Sequence, residues 1–245
     1  MAVTPDACDG QPFRIILPEQ KRLRRAFDGV AAAAGLDFEK PSPRASLGYL
    51  VDKKREIESL VACELRADAA LDWLADGTAS LAIVGADMLA EYQAINPRAS
   101  LKPVLTLERI CCCSLWIAAK PEINIRNIND LEGMRLASAY PALLQQLLQQ
   151  NGTQPASILP QKGNVEATLA VNRADAILEV VETGASLKAN GLEKKLKVFN
   201  SCAVLVRSHT PFSAANESLT QKLGDRLKGA QETCQPPQQP DIILF

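Results

Sequence analysis

Histidine is nearly absent from this 245-residue chain, and its single copy is His209. A Ser-His-Asp or Cys-His hydrolase would depend on that residue, which lies in the loop-like segment SHTPFS. Nucleophilic catalysis of this type is therefore not expected. Zinc chemistry is not expected either, because histidine is one of the usual zinc ligands.

An excess of charge and long apolar runs are also missing. Lysine and arginine number 27 against 28 aspartates and glutamates, so no global field attracts nucleic acid or an anionic membrane. No apolar run is as long as the stretch of about 18 residues that a membrane helix needs. The first residues, MAVTPDACDGQPF, lack the basic start and apolar stretch of a secretory signal. We therefore expect a cytoplasmic protein without nucleic-acid or membrane partners.

The chain has seven cysteines, an odd number, and it is long enough to bury a core without a disulfide framework. Cys111, Cys112 and Cys113 are consecutive. Consecutive strand residues point to opposite faces of a sheet, so they do not converge on one metal ion. Because thiols are normally reduced in the cytoplasm, we predict structural thiols rather than a redox or metal site.

Short apolar runs alternate with amphipathic patterns along most of the chain, which predicts an α/β fold of mostly parallel sheets flanked by helices. The predicted strands are 14–17, 60–65, 81–84, 115–119, 135–137, 156–159, 176–181 and 203–207. The predicted helices are 20–34, 68–74, 86–93, 141–150, 186–190 and 216–231. A loop is expected at 41–46 (PSPRAS), a charged connector at 51–59 (VDKKREIES), and a loop or tail at 235–240 (QPPQQP). Two lobes with chain crossings between them fit this pattern, and the cleft between lobes is the expected ligand site.

The segment ADAILEVVETGASLKANGL combines an apolar strand, a loop of small residues and the start of a helix. Gly184 lets the backbone turn without a side chain, while the hydroxyls of Thr183 and Ser186 and successive N–H groups can point at one phosphate. Glu179 and Glu182 suit sugar hydroxyls or a magnesium ion, which prefers oxygen ligands. This combination favours a phosphorylated sugar. The same residues also fit an ordinary helix cap, where Ser and Thr are favoured.

The turn GNVE, residues 163–166, precedes this loop and could supply a second set of backbone donors, although it also fits an ordinary turn. Basic residues crowd the first turn of the first helix, where the macrodipole is already positive and a bound polyanion would offset the repulsion. Lys21 and Arg22 lie nearest the strand-to-helix turn, where α/β sheets bind ligands. A solvated basic face accounts better for Arg24 and Arg25.

Five segments of the chain resemble the ATP phosphoribosyltransferase family, which catalyses the first step of histidine biosynthesis. In the family's order they are RIILPEQKRL, LADGTASLAIVGADML, LEGMRLASAYPALL, KGNVEA and ADAILEVVETGASLKANGL, and together they span most of residues 13–207. The resemblance implies two lobes similar to a type II periplasmic binding protein, with the active site in the interlobe cleft. Lobe I is expected at 12–107 plus 196–245, and lobe II, with the phosphoribosyl-diphosphate loop, at 108–195.

The resemblance also implies the reaction and its residues. The phosphoribosyl group would move from 5-phosphoribosyl 1-diphosphate to N1 of ATP, with Mg2+, releasing pyrophosphate. Catalytic roles would fall to Glu179, which would hold the ribose hydroxyls, and to Arg22; no protein ligand of the metal is named. The implied donor-binding residues are Gly163, Asn164, Glu166, Glu179, Glu182, Thr183, Gly184, Ala185, Ser186 and Leu187. The implied ATP-binding residues are Lys21, Arg22, Arg44, Arg66, Ser138 and Tyr140.

The chain departs from the family's pattern mainly on the acceptor side. Glu19 stands where the family tends to have a lysine, and the Cys111–Ser114 segment replaces a glycine-rich segment that carries a cation. These departures leave two alternatives open. The chain could be a phosphoribosyltransferase with a different acceptor, or a catalytically silent paralogue that binds a nucleotide and regulates a partner.

Residues 208–245 follow the last matched strand, and a segment this short rarely folds as a separate domain without metal or disulfides. We therefore expect the short form of the family, without a C-terminal histidine-sensing domain. The resemblance then implies a homodimer and a regulatory subunit similar to histidyl-tRNA synthetase.

Overall fold

The computed structural model describes residues 13–208 and 211–233, which form two compact units. The first contains the described residues up to Gly85, from Ala99 to Cys111 and from Cys202 onward, and the second contains Ala86–Arg98 and Cys112–Ser201. The expected lobe boundaries differ from these at three places. Residues 86–98 and 196–201 belong to the second unit, and residues 108–111 belong to the first. His209 and the QPPQQP segment lie outside the described residues.

In chain order the strands are β1 (Arg14–Pro18), β2 (Leu36–Glu39), β3 (Gly48–Asp52), β4 (Leu60–Leu65), β5 (Leu81–Gly85), β6 (Lys102–Leu107), β7 (Cys113–Ala119), β8 (Arg135–Ser138), β9 (Ser157–Pro160), β10 (Ala176–Val181), β11 (Glu193–Ser201) and β12 (Ala203–Arg207). The helices are α1 (Lys21–Ala33), α2 (Ala67–Ala75), α3 (Ala86–Ile95), α4 (Pro141–Gln150), α5 (Ala167–Ala170), α6 (Ala185–Ala189) and α7 (Ala214–Thr233). None of the helices in the described residues combines the length and apolar character needed to cross a membrane.

The first unit is built on a seven-stranded sheet in the order β2-β3-β4-β1-β5-β12-β6. Its central strand, β1, runs parallel to both β4 and β5, and the other neighbours are antiparallel. Leu23 and Phe27 of α1 are buried in the same apolar cluster as Leu223 and Leu227 of α7. The spacing of three and four residues that predicted helices therefore also gives each helix its buried face.

The second unit is built on a five-stranded sheet in the order β11-β7-β10-β8-β9. Leu144 and Leu148 of α4 belong to an apolar cluster that contains Leu178 of β10. Leu169 of α5 and Leu187 of α6 belong to a second cluster, which contains other residues of the same strand. Because successive strand residues point to opposite faces, the two clusters lie on the two faces of this sheet.

The predicted α/β class is confirmed, and each predicted strand and helix is present with its ends within two residues of the expected positions. The prediction of mostly parallel sheets is wrong, because four strand pairings are parallel and six are antiparallel among the described residues. Four strands, β2, β3, β6 and β11, were not predicted. Residues 51 and 52, expected in a charged connector, end strand β3.

The cysteines also differ from expectation. Cys112 and Cys202 are disulfide-bonded, so the prediction of free thiols is wrong for these two. Cys63, Cys111 and Cys113 are free. Cys111 does not lie in a strand and has a positive φ of 51°. Local spacing in the sequence does not reveal which cysteines form disulfides.

Candidate functional site

Gly184 lies at the turn between β10 and α6, where its backbone is left-handed with φ 82°. Glycine adopts this conformation at little cost, because it has no Cβ. The Thr183 hydroxyl oxygen accepts a hydrogen bond from the N–H of Ala185 at 3.3 Å. The N–H groups of Ser186 and Leu187 lie in the first turn of α6, where a helix leaves its amides without intrahelical partners. The turn therefore has the backbone conformation that the sequence predicts for a phosphate loop.

The second predicted donor segment lies against this loop. Gly163 and Asn164 form an exposed turn between β9 and α5, and both have positive φ, 72° and 45°. Glu166 follows in this turn and is buried, and its carboxylate accepts a hydrogen bond from the hydroxyl of Ser186. One hydrogen bond therefore joins two segments that were predicted separately. The Ser186 hydroxyl was expected to point at the phosphate, but here it donates to Glu166.

Glu179 is half-buried on β10 beside these two segments. Burial raises its pKa, and the nearby charge of Glu166 raises it further, while the N–H of Val180, which donates to Glu179 at 2.9 Å, lowers it. The net shift is upward. Two carboxylates therefore share this corner of the second unit, and Glu182 lies exposed just beyond the end of the strand.

Lys194 of β11 lies beside the same loop, and the sequence reasoning missed it. A Cβ placed on Gly184 would lie 3.9 Å from its Nζ. The same ammonium lies 5.2 Å from the ring centre of Trp116. The signal that could have found it is the basic run EKKLK after α6, but strand β11 itself was not predicted.

In the first unit, three predicted ATP-binding cations lie at one edge of the sheet, namely the edge formed by the carboxyl ends of two neighbouring strands. Lys21 and Arg22 open α1 just after β1, and Arg66 precedes α2 just after β4. These strands are parallel neighbours, and the N–H of Glu19 donates to the carbonyl of Leu65 at 2.9 Å. The carboxyl ends of the two strands therefore meet, and all three cations are exposed there.

Arg44 lies in the loop between β2 and β3 and is also exposed. Gly48 at the start of β3 pairs with Ala62 toward the carboxyl end of β4. The loop that carries Arg44 therefore lies at the same edge of the sheet as Arg66. Helix α1 has no side-chain cap at Gln20 and no acidic residue in its first turn, so this edge is basic at the start of α1, whereas Arg66 pairs with Asp68 at 3.8 Å.

Arg24 is paired within the protein. Its guanidinium bonds to Glu64 and, at 2.6 Å, to Asp28, and it lies 4.7 Å from the ring centre of Phe38. Glu64 also pairs with Lys40. These carboxylates balance the charge of Arg24, whose side chain is only 15% exposed, so the expected solvated face is wrong for this residue.

Ser138 and Tyr140 are buried, and their hydroxyls bind other parts of the second unit. The Ser138 hydroxyl donates to the carbonyl of Leu178 and accepts from the N–H of Tyr140, both at 2.8 Å. The Tyr140 hydroxyl donates to Asp87 at 2.6 Å, and Ser201 donates to the other oxygen of that carboxylate at 2.6 Å. The resemblance assigned both residues to ATP binding, and these hydrogen bonds give each hydroxyl a structural role within the unit.

Helix α4 starts immediately after Tyr140 and has no side-chain cap of its own. Glu91 of α3 supplies the missing acceptors, because its carboxylate accepts from the N–H groups of Ala142 and Leu143 at 3.0 and 2.7 Å. Asp87 and Glu91 are one helical turn apart and fix neighbouring parts of the same segment. Both were missed as functional residues, although Asp87 lies in a segment that carried the resemblance.

Two further features bear on the chemistry. Among the described residues, no group of three or more His, Cys, Asp or Glu side chains could hold a metal ion. Cys111, which stands where the resemblance led us to expect a glycine-rich segment, has the left-handed backbone that glycine prefers. Its thiol lies 3.7 Å from the carbonyl oxygen of Arg22.

Comparison with known proteins identifies the family. The family model described as ATP phosphoribosyltransferase matches residues 66–229. An ATP phosphoribosyltransferase of Maricaulis maris (strain MCS10) is 34% identical over 215 residues, which are 85% of this chain and 72% of that protein. The chain belongs to the ATP phosphoribosyltransferase family. The departures at Glu19 and Cys111 therefore occur within a genuine member of the family.

Solved structures support the same fold. The ATP phosphoribosyl transferase (HisG:HisZ) complex from Thermotoga maritima matches with a TM-score of 0.69 at 22% identity, over 91% of this chain and all of that one. The periplasmic aliphatic sulphonate binding protein SsuA from Escherichia coli matches with a TM-score of 0.55 at 16% identity, over 89% of this chain and 72% of that one. The expected similarity to periplasmic binding proteins is thereby confirmed for the fold.

Proposed function

We propose that this chain is the catalytic subunit of an ATP phosphoribosyltransferase, which transfers phosphoribosyl from 5-phosphoribosyl 1-diphosphate to N1 of ATP and releases pyrophosphate. This is the first step of histidine biosynthesis. The observation that carries the proposal is the hydrogen bond from Ser186 to Glu166, because it joins the two segments on which the donor side of the family resemblance depends.

The donor binds at the corner formed by these segments. The backbone amides of Gly184, Ser186 and Leu187 hold the 5-phosphate, and the exposed turn at Gly163 and Asn164 supplies further backbone donors. Glu179 accepts hydrogen bonds from the ribose hydroxyls. Glu182, exposed just beyond the strand, supplies a further oxygen acceptor, and Glu166 holds Ser186 beside the loop.

The acceptor side uses the basic edge of the first unit. Lys21, Arg22, Arg44 and Arg66 are all exposed there, and they bind the triphosphate of ATP. Arg22 is the second residue of α1, and the first turn of this helix carries no acidic residue. Ser138 and Tyr140 hold the segment before α4 in place and contribute no hydroxyl to ATP.

The protein contributes to the reaction by positioning the two substrates and by stabilising the charges that develop as the bonds change. The N1–C1′ bond forms while the bond from C1′ to the diphosphate oxygen breaks, and its electron pair leaves with pyrophosphate. The carboxylate of Glu179 favours the positive charge that develops on the ribose. The cations at the edge of the first sheet bind the triphosphate of ATP.

The residues fit a magnesium ion that is held mainly by the substrate. Magnesium prefers octahedral oxygen coordination and usually binds through one or two carboxylates together with substrate phosphates and water. Glu179 and Glu182 are the carboxylates at the donor corner that could contribute. The ion would offset charge on the diphosphate leaving group.

We further propose that this subunit acts as a homodimer with a regulatory partner, in the cytoplasm. The partner rests on similarity to a structure described as a HisG:HisZ complex. It would resemble histidyl-tRNA synthetase.

Activity can be tested with purified protein, 5-phosphoribosyl 1-diphosphate, ATP and magnesium, by near-ultraviolet absorbance of the product and by assay of pyrophosphate. We expect equal amounts of both products. Arg22→Met should raise KM for ATP about tenfold, as expected for a lost charge-assisted contact. Arg25→Met removes an exposed charge from the same helix and should leave KM unchanged. Absence of both products, with and without a regulatory subunit, would refute the proposal.

A further inference from the structure

The donor loop has fewer donors than its sequence suggests. The Ser186 hydroxyl donates to Glu166, and the Ala185 N–H donates to the hydroxyl of Thr183. A phosphate monoester accepts hydrogen bonds and carries negative charge, so it needs donors and a cation. The loop itself, Thr183-Gly184-Ala185-Ser186, contains no cation, and three carboxylates, Glu166, Glu179 and Glu182, are close to it in the fold or in the chain.

Lys194 is placed to supply that cation. A Cβ on Gly184 would lie 3.8 Å from Lys194 Cε and 3.9 Å from its Nζ, so the ammonium lies directly beside the turn. The strand register explains this position, because Lys194 pairs with Ala118 of β7, two residues from Trp116 and on the same face of the sheet. Glu179 pairs with Trp116 and shares this face.

The surroundings of Lys194 leave its charge available. In the part of the chain that the structure describes, its ammonium forms no ion pair, and it lies over the indole of Trp116 at 5.2 Å from the ring centre. The next residue, Lys195, is different, because it pairs with Glu193 at 2.8 Å and donates to the carbonyl of Pro121. An aromatic face holds an ammonium in position without neutralising it.

We propose that Lys194, held over Trp116, binds the 5-phosphate of the donor and is a specificity-determining residue for a phosphorylated pentose. This inference rests on the proposed function, since it assumes that the donor binds at this corner. The ammonium supplies the charge-assisted contact that the Ser186 hydroxyl cannot make while it is bonded to Glu166. An unphosphorylated sugar would gain nothing from it.

The kinetic test compares Lys194→Met with Lys194→Arg, which keeps the charge. We expect Lys194→Met to raise KM for 5-phosphoribosyl 1-diphosphate about tenfold, equivalent to about 1.4 kcal/mol, with kcat within about twofold of wild type. Lys194→Arg should stay within about threefold for both constants. Lys222→Met removes an exposed lysine from α7 and should change neither. A donor KM for Lys194→Met within twofold of wild type would overturn the inference.

A binding test separates this inference from the proposed function. Trp73→Phe leaves Trp116 as the only tryptophan, so its fluorescence reports on the ammonium above its ring. Titration with ribose 5-phosphate should change the emission and give a Kd that Lys194→Met, in the same background, weakens about tenfold, while ribose gives no change. Equal Kd values with and without the lysine, or no binding in the parent, would overturn the inference even if the enzyme is active. A weakened Kd in a protein that makes no product would support the inference and refute the reaction.

Discussion

The Tyr140 hydroxyl donates a 2.6 Å hydrogen bond to the Asp87 carboxylate, and neither group is open to solvent. Burial and the Asp87 charge raise the pKa of Tyr140, so the hydroxyl keeps its proton and remains a donor. This pair links the start of α3 to the start of α4. The structure therefore gives the Tyr140 hydroxyl a structural role, whereas the resemblance assigned this residue to ATP binding.

We therefore expect Tyr140→Phe to lower the free energy of unfolding by about 1–3 kcal/mol, because it leaves a buried carboxylate short of one donor. KM for ATP should stay within twofold. Urea unfolding and steady-state kinetics on the same preparation measure both effects. Tyr49→Phe alters an exposed tyrosine and serves as the control. A tenfold rise in KM for ATP without loss of stability would show instead that the Tyr140 hydroxyl contacts ATP.

The role of Gly184 in donor binding can be tested separately from the stability that any residue with a positive φ loses when glycine is replaced. Space is available for a Cβ at this position, since the nearest heavy atom would be Val181 Cγ1 at 3.7 Å, so the cost of Gly184→Ala comes from the positive φ and is about 1–2 kcal/mol. Gly152→Ala should lose similar stability, because Gly152 also has a positive φ, 68°, with no atom near its Cβ.

Only Gly184→Ala should impair the donor site. We expect its KM for 5-phosphoribosyl 1-diphosphate to rise about tenfold, while Gly152→Ala keeps the wild-type value. Thermal unfolding and initial rates give the two quantities. Equal donor KM values in both variants would show that the phosphate does not bind at this turn.

The proximity of Glu166 to Glu179 predicts how kcat/KM depends on pH. The pKa of Glu179 is raised, first by burial and also by the charge of Glu166, so the ionised form that accepts from ribose is lost at a higher pH than for an ordinary glutamate. Glu166→Gln keeps an acceptor for Ser186 but removes the charge, so it should lower the pKa of Glu179. The acid limb of kcat/KM should then move to lower pH. Glu122→Gln, at an exposed position of the second unit, should leave that limb in place; a limb unaffected by Glu166→Gln would contradict the coupling.

Stability of the first unit depends on Asp52. Its buried carboxylate pairs with Arg226 of α7 at 2.6 Å and accepts from the N–H groups of Lys54, Glu56 and Ile57. The hydrogen bond from Arg226 holds the pKa of Asp52 well below its usual range. Asp52→Asn should therefore cost about 3 kcal/mol of unfolding free energy at neutral pH.

The sign of the pH dependence follows from the lowered pKa of Asp52. The stabilisation is complete above the unfolded-state pKa near 3.8 and is lost as the pH falls toward the folded-state value, so wild type and Asp52→Asn should converge in acid. Urea unfolding across this range measures the difference. Asp37→Asn breaks an exposed pair with Lys53 and should cost less than about 1 kcal/mol. A difference for Asp52→Asn that stays constant with pH would show that its ionisation does not contribute.

Much of the fold could be predicted, because strands such as β5 and β10 are short apolar runs and helices such as α1 have regular buried faces. Three of the four strands that were missed, β2, β6 and β11, lie at sheet edges. Strand β11 begins Glu-Lys-Lys and lies at a sheet edge, where charged side chains are common. Strand β6 is an edge of the other sheet, and it contains Pro103. Strand direction was also mispredicted, because pairing between distant segments does not show in local periodicity.

The donor loop could be predicted because its residues are contiguous in the chain. The residues that act on it from elsewhere could not. Lys194 reaches Gly184 only through the pairing of β11 with β7, and Glu166 reaches Ser186 only through the fold of the second unit. Asp87 and Glu91 look like ordinary surface acids of a helix until α4 is placed beside α3.

The most direct test of the account is a crystal structure of the protein with 5-phosphoribosyl 1-diphosphate and magnesium. We predict that the 5-phosphate lies against the amides of Gly184 to Leu187, with the ribose hydroxyls on Glu179. A donor bound elsewhere, with this turn left unoccupied at saturating ligand, would contradict the assignment.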